Sequence, residues 1–251
     1  MVMGLDRFRA HFAGCEHQYV LVGGTASELV LNEAGLPFRL TKDLDIVLIV
    51  EALDAAFSDR FMAFVTDGGY QVQERASGER VLYRFQKPSQ AGYPAMIELF
   101  SRTPEGIVLA QDSAFTPLPI DEAAASLSAI LLNADYYEFL KAMRRTVQDV
   151  PILDEAAIIP FKARAWIDLT ARRTAGEEGQ GDNIKKHRND VARLLQLLPA
   201  GASIALPDVI RTDMQAFAAA VAADEAFDPR QFKIDTTREA FIDRLSAAYG
   251  L

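Results

Sequence analysis

Cysteine is nearly absent from these 251 residues, with Cys15 alone, so no intrachain disulfide and no multi-cysteine metal site can form. No apolar run approaches the length of a membrane span. The opening MVMGLDRFRAHFAG lacks the uninterrupted hydrophobic segment of a secretory signal. The expectation is a cytoplasmic protein in a reducing compartment, with no membrane partner. Internal repeats and low-complexity stretches are missing too. Neither G-x-x-x-x-G-K-[ST] nor G-x-G-x-x-G occurs, which excludes the two commonest glycine-rich nucleotide loops. Positive charge is in short supply: the net charge is −9, against a protein that coats nucleic acid by bulk electrostatics.

What is present is ordinary for a globular chain, half hydrophobic and a quarter charged, and long enough for a sizeable core. The charge is uneven. From Lys141 to Arg193 there are 11 Lys/Arg against 8 Asp/Glu. A surface that grips phosphate or one end of an RNA and a merely solvated helix face account equally well for that excess.

Periodicity predicts a short helix over 4–14, a buried strand Tyr19–Val22, and a helix from Thr25 to about Ala34 stopped by Gly35. Asp43–Val50, DLDIVLIV, is the strongest strand signal, continuously apolar after an acidic mouth, as in a central strand covered on both faces. A helix over 53–67, a hairpin of 70–75 with 80–86, and a strand 95–100 follow. Further on, 126–132 reads as a strand, 135–146 as a helix and 150–153 as a short strand. Long helices are expected over 155–173 and 182–198, with Asp182 as N-cap, then shorter ones over 206–223 and 236–248. The fold class is α+β: a small mixed β-sheet flanked by helices, followed by a mainly helical C-terminal part. We expect domains of 1–120 and 121–251.

The chemistry concentrates at Asp43-Leu44-Asp45. Alternate residues of a strand share a face, so the two aspartates lie side by side while Leu44 points to the other face. Paired carboxylates repel unless a cation or a proton sits between them. Asp45 and Glu98, the latter set among Met96, Ile97, Leu99 and Phe100, both lie in apolar strands, where an uncompensated carboxylate is costly. Asp43 could instead cap its strand and pair with Lys42 or Arg39. Three carboxylates on neighbouring strands can cradle two Mg²⁺ ions, Mn²⁺ being an alternative, for an in-line displacement at phosphorus. The Gly23-Gly24-Thr25 turn lets the backbone approach a phosphate at a helix start, although a plain tight turn uses the same residues. On the helix after residue 182, Asp190 can pair with Lys186 four residues earlier or lie against Lys162, and a solvent-facing ion pair is the alternative to both. His187 and Trp166 read as packing residues.

Taken in order, VGGTA, RLTKDLDIVL and IELF resemble the nucleotidyltransferase fold of the DNA polymerase β superfamily. The later LSAILLNADYYEFL, PILDEAAIIPFKARAWIDL and IKKHRNDVARLLQLL resemble the AbiEii/AbiGii-type toxin family of nucleotidyltransferases. The likeness runs from about Tyr19 to Leu198. It implies a metal-dependent enzyme that moves an NMP from an NTP to an acceptor hydroxyl, with tRNA or other RNA as acceptor and an antitoxin protein as partner. It further implies that Asp43, Asp45 and Glu98 hold Mg²⁺, that Gly23, Gly24 and Thr25 contact the triphosphate, that Lys162 binds phosphate, and that Asp190 completes the set. Glu98 stands where the superfamily often has Asp; it and Asp45 are both candidates for the base. A small molecule such as an antibiotic, or a protein side chain, is the alternative acceptor, and a non-catalytic nucleotide-binding module is a third reading.

Overall fold

A computed structural model of the chain describes residues 2–74, 80–102, 107–110, 113–115, 127, 130–131, 133–176 and 181–251. The elements are α1 (Leu5–His11), β1 (Tyr19–Val22), α2 (Gly23–Glu33), β2 (Asp43–Leu48), α3 (Ala55–Gly68), β3 (Gln71–Glu74), β4 (Arg80–Gln86) and β5 (Met96–Phe100). Then come the hairpin β6 (Ile107–Ala110) and β7 (Ser113–Phe115), α4 (Ala134–Ala142), β8 (Arg144–Val147) and β9 (Val150–Leu153). The long helices α5 (Glu155–Thr174) and α6 (Gly181–Leu195) precede α7 (Asp208–Ala223) and α8 (Arg238–Tyr249). The architecture is α+β, as the order of elements implied.

One mixed sheet carries the order β3-β4-β5-β2-β1-β9-β8. Its centre is β2, antiparallel to β1 and parallel to β5, and Leu44, Ile46, Val47 and Leu48 are buried as its apolar run requires. Below it α1 and α3 supply an aromatic cluster in which Phe12 packs within 6.1 Å of Phe8, Tyr19, Phe57, Phe61 and Phe64. The other face carries α2, buried from Gly24 to Leu31 and packed on β1, β2, α5 and α6.

Two expectations change. The segment 126–132, read as a strand, is helical at Leu127, Ile130 and Leu131. Those three apolar residues have the i, i+3, i+4 spacing of a helix, which a short apolar run conceals. The helix expected over 135–146 stops at Ala142, and 144–147 turns back as β8 against β9 through Gln148 (φ 50°) and Asp149 (φ 62°). Two positive-φ residues make the hairpin turn without the glycine that normally announces it. The boundary expected near residue 120 lies outside the described residues. Strands β8 and β9, from beyond that point, join the same sheet as β1, with Leu21 opposite Ile152.

The last fifty residues brace α5. Pro160 sits inside that helix and has no N–H for the carbonyl of Ala156 four residues earlier. The Tyr249 hydroxyl on α8 donates to that carbonyl at 2.7 Å. Trp166 stacks edge-on against Phe217 of α7, with ring centres 5.3 Å apart, and Arg164 binds Asp213 at 2.8 Å. Trp166 is thus a packing residue, as read from the sequence.

Candidate functional site

A cavity of about 420 Å³ opens between the sheet and the α5–α6 pair. Its floor is the mouth of β2. Asp43 and Asp45 both line it, and Leu44 between them is fully buried on the opposite face. Gly23 and Gly24 form one edge. They begin α2 itself, two residues earlier than the helix expected from Thr25. Gly23 has φ +63°, and a Cβ there would lie 2.9 Å from Asp45 Cγ, so glycine is needed both for the backbone and for the space. The Gly24 N–H donates to the Asp45 carboxylate. Thr25 lies behind this wall. It is fully buried, and its hydroxyl donates at 2.7 Å to the carbonyl of Asp43, so it anchors β2 rather than reaching the cavity.

Burial pushes the Asp45 carboxyl above the ordinary carboxylate range, and the nearby Asp43 charge adds to the rise, against the pull of Lys186 and Lys162. Asp43 is raised by the same loss of water, opposed first by Lys186 and then by Arg39, Lys42 and Arg84. Two adjoining carboxylates that resist ionisation fit one divalent cation, whose charge would reverse that cost.

Glu98 stands directly beside Asp45, since the parallel β2–β5 register pairs the two residues. It lines the same cavity, and its carboxylate is held there by a neighbouring cation. Arg84 on β4, its cross-strand partner, donates to Glu98 Oε1 from Nε at 2.7 Å and from a terminal guanidinium nitrogen at 2.5 Å. Among the described residues no three of His, Cys, Asp and Glu group closely enough to hold an ion. Asp43, Asp45 and Glu98 share one cavity lining, with Glu98 engaged by Arg84.

The opposite wall comes from α5 and α6. Lys162 and Asp190 meet at 2.8 Å, at 5% and 0% exposure, so the long-range pairing forms and the alternative with Lys186 does not. Arg39 lies 3.5 Å from Asp190 Oδ2 and Arg193 lies 3.7 Å from Oδ1. Burial alone would raise the Asp190 carboxyl; Lys162 and Arg39 outweigh it and hold the group below its ordinary value. Asp190 is fully buried behind the wall, and Lys162, Arg39 and Lys186, which line the cavity, leave the wall positive. Lys186 lines the cavity, where lost hydration and then the charges of Arg39 and Lys162 push it down. His187 also lines the cavity. Burial and the Lys162 charge bring it down to about 3, so its ring is neutral near pH 7.

Several of these residues carried no signal of their own in the sequence. Glu28 is buried in α2 and accepts from the Thr41 N–H at 3.0 Å, which fixes the loop that brings Arg39 and Lys42 to the cavity. Only the burial of an acid on a helix's apolar side hinted at it. Arg84 had one usable signal, its place on a strand facing an acid that needed a cation.

No family model matches the chain, and no curated protein matches its sequence. Among solved structures the chain is similar to an antigenic nucleotidyltransferase-like protein from Paracoccidioides brasiliensis. That likeness has 14% identity and a TM-score of 0.47, over 92% of this chain and 85% of that one. It is also similar to the antibiotic-resistance factor ANT(2'')-Ia, at 14% identity and a TM-score of 0.37, over 88% of this chain and 92% of that one. No helix among the described residues is long and apolar enough to cross a membrane.

Proposed function

We propose that this protein is a metal-dependent nucleotidyltransferase that moves an NMP from an NTP to an acceptor hydroxyl on RNA. The observation that carries this reading is the facing of two walls across one cavity. The paired aspartates Asp43 and Asp45 lie on one side and the cation-rich Lys162–Asp190 wall on the other. A nucleoside triphosphate needs both: positive charge for its phosphates and carboxylates to hold its divalent cation. When bound on Asp43 and Asp45, Mg²⁺ would supply charge neutralisation at the phosphate under attack.

The chain's own groups do the rest. Gly23 and Gly24 permit close backbone approach at the start of α2. Lys162, aimed by Asp190, and Lys186 at the rim face the phosphates. Glu98 is committed to Arg84, which leaves Asp45 to orient the acceptor hydroxyl. The RNA acceptor rests on the local excess of Lys and Arg between Lys141 and Arg193, despite a net charge of −9. The resemblance to toxin nucleotidyltransferases adds a role in growth arrest, held in check by an antitoxin partner.

The test is transfer of label from each α-labelled NTP to total RNA, by the wild type and by the Asp43→Asn/Asp45→Asn double variant. Label on RNA from the wild type alone is expected. Equal labelling by the double variant would remove the mechanism, and RNase-resistant label on a small molecule or protein would move the acceptor to that class. Expression of the wild type, but not of the double variant, should stop growth.

A further inference from the structure

The Arg84–Glu98 pair is built more firmly than a site awaiting a third metal ligand would need. Two nitrogens of one guanidinium converge on a single oxygen, Glu98 Oε1, at 2.7 and 2.5 Å. Cross-strand register places the two residues opposite each other, so neither has to reach. Their side chains are 13% and 11% exposed, which means both charges have already given up most of their water to each other. Removing one partner from such a pair leaves an uncompensated charge, a strongly unfavourable change. Asp43 and Asp45, one strand away, are different. All four residues line the cavity, but among the described residues neither aspartate forms an ion pair.

We propose that Arg84 takes the place of a second metal ion: the site holds one divalent cation, on Asp43 and Asp45, and Glu98 positions Arg84 instead of ligating metal. Arg84 lines the cavity, so its fixed charge stands where phosphate is received in the reading given above. A guanidinium differs from an ion in being permanently charged and covalently tethered. The second positive charge is then independent of metal concentration, and only the aspartate pair responds to it. This inference rests on the nucleotidyltransferase reading only for the phosphate; the metal stoichiometry stands by itself.

Titration of the full chain with Mn²⁺ alone, without nucleotide, followed by the electron paramagnetic resonance of free Mn²⁺, tests it. One Mn²⁺ per chain is expected for the wild type and none for Asp43→Asn/Asp45→Asn. Arg84→Met/Glu98→Gln removes the pair as a neutral unit of similar shape, and circular dichroism checks that it folds. Its Mn²⁺ affinity should stay within about threefold of wild type, whereas a lost metal contact would weaken it about tenfold or more. Arg84→Met alone takes away the guanidinium that holds Glu98 Oε1 beside Asp45, and should take up a second Mn²⁺ or bind the first more tightly than wild type. Two ions on the wild type, none at all, or a tenfold loss in the paired variant would overturn the proposal. Because no nucleotide is present, absent label transfer with the expected Mn²⁺ binding would defeat only the enzymatic reading.

Discussion

Lys162 on α5 and Asp190 on α6 meet at 2.8 Å, both buried, and bind the two long helices together at the cavity wall. The bond spans 28 residues, and Arg39 from the loop before β2 joins it at 3.5 Å. A pair so placed is expected to matter for stability as well as for chemistry. Asp190→Asn leaves Lys162 buried without its counter-charge, a loss of about 3 kcal/mol or more. In a chain of this size that lowers Tm by about 6–12 °C. The Asp190 carboxyl is held below its unfolded value. Its contribution is therefore full above about pH 4 and lost as pH falls through the folded value. Urea unfolding between pH 3 and 7 should show a flatter acid limb in the variant than in the wild type.

Asp43 and Asp45 carry the opposite sign. Their folded values are raised by burial, so the native state keeps its protons longer than the unfolded chain. Stability from these groups falls as pH rises from about 4 through the raised values. Asp43→Asn/Asp45→Asn is expected to raise Tm by a few degrees at pH 7 without metal. Mg²⁺ should then raise the wild-type Tm and leave the variant unmoved. A variant that melts lower than wild type in the absence of metal would contradict this account.

Gly23→Ala tests the contact between the turn and the site. The new methyl group would overlap the Asp45 carboxylate, and φ +63° adds backbone strain. Gly14→Ala is the control, with φ +87° and open space around the new Cβ. Both variants bear the positive-φ penalty of about 1–2 kcal/mol. Only Gly23→Ala should also lose Mn²⁺ affinity and label transfer, because only there is a carboxylate displaced.

Tyr249→Phe removes the hydroxyl that satisfies the Ala156 carbonyl left open by Pro160. Leaving a buried acceptor without a partner is expected to cost about 1–3 kcal/mol. Thermal denaturation should detect it. Since α5 carries Lys162, hydrogen exchange in α5 should quicken around residue 160, far in sequence from the substitution.

The strongest elements were legible because their residues repeat one rule. β2 is apolar after its acids, α3 ends where Gly69 takes a left-handed conformation, and the α5 and α6 stripes recur at helical spacing. The misread segment 126–132 is too short, and too continuously apolar, to separate period two from period 3.6. The β8–β9 hairpin hid behind Gln148 and Asp149, which adopt positive φ without being glycine.

Sequence alone determined that Asp43 and Asp45 share one face of a buried strand, because side-chain alternation is a local property of extended backbone. It also marked Gly23-Gly24 as a turn at a helix start, whereas the closeness of Gly23 to Asp45 came only with the fold. Which cation answers which acid was decided only by the tertiary structure. Glu98 finds Arg84 through strand pairing, Asp190 finds Lys162 through helix packing, and Asp43 and Asp45 remain facing the cavity. Coulomb energies depend on distance and local water, and neither is encoded by spacing along the chain.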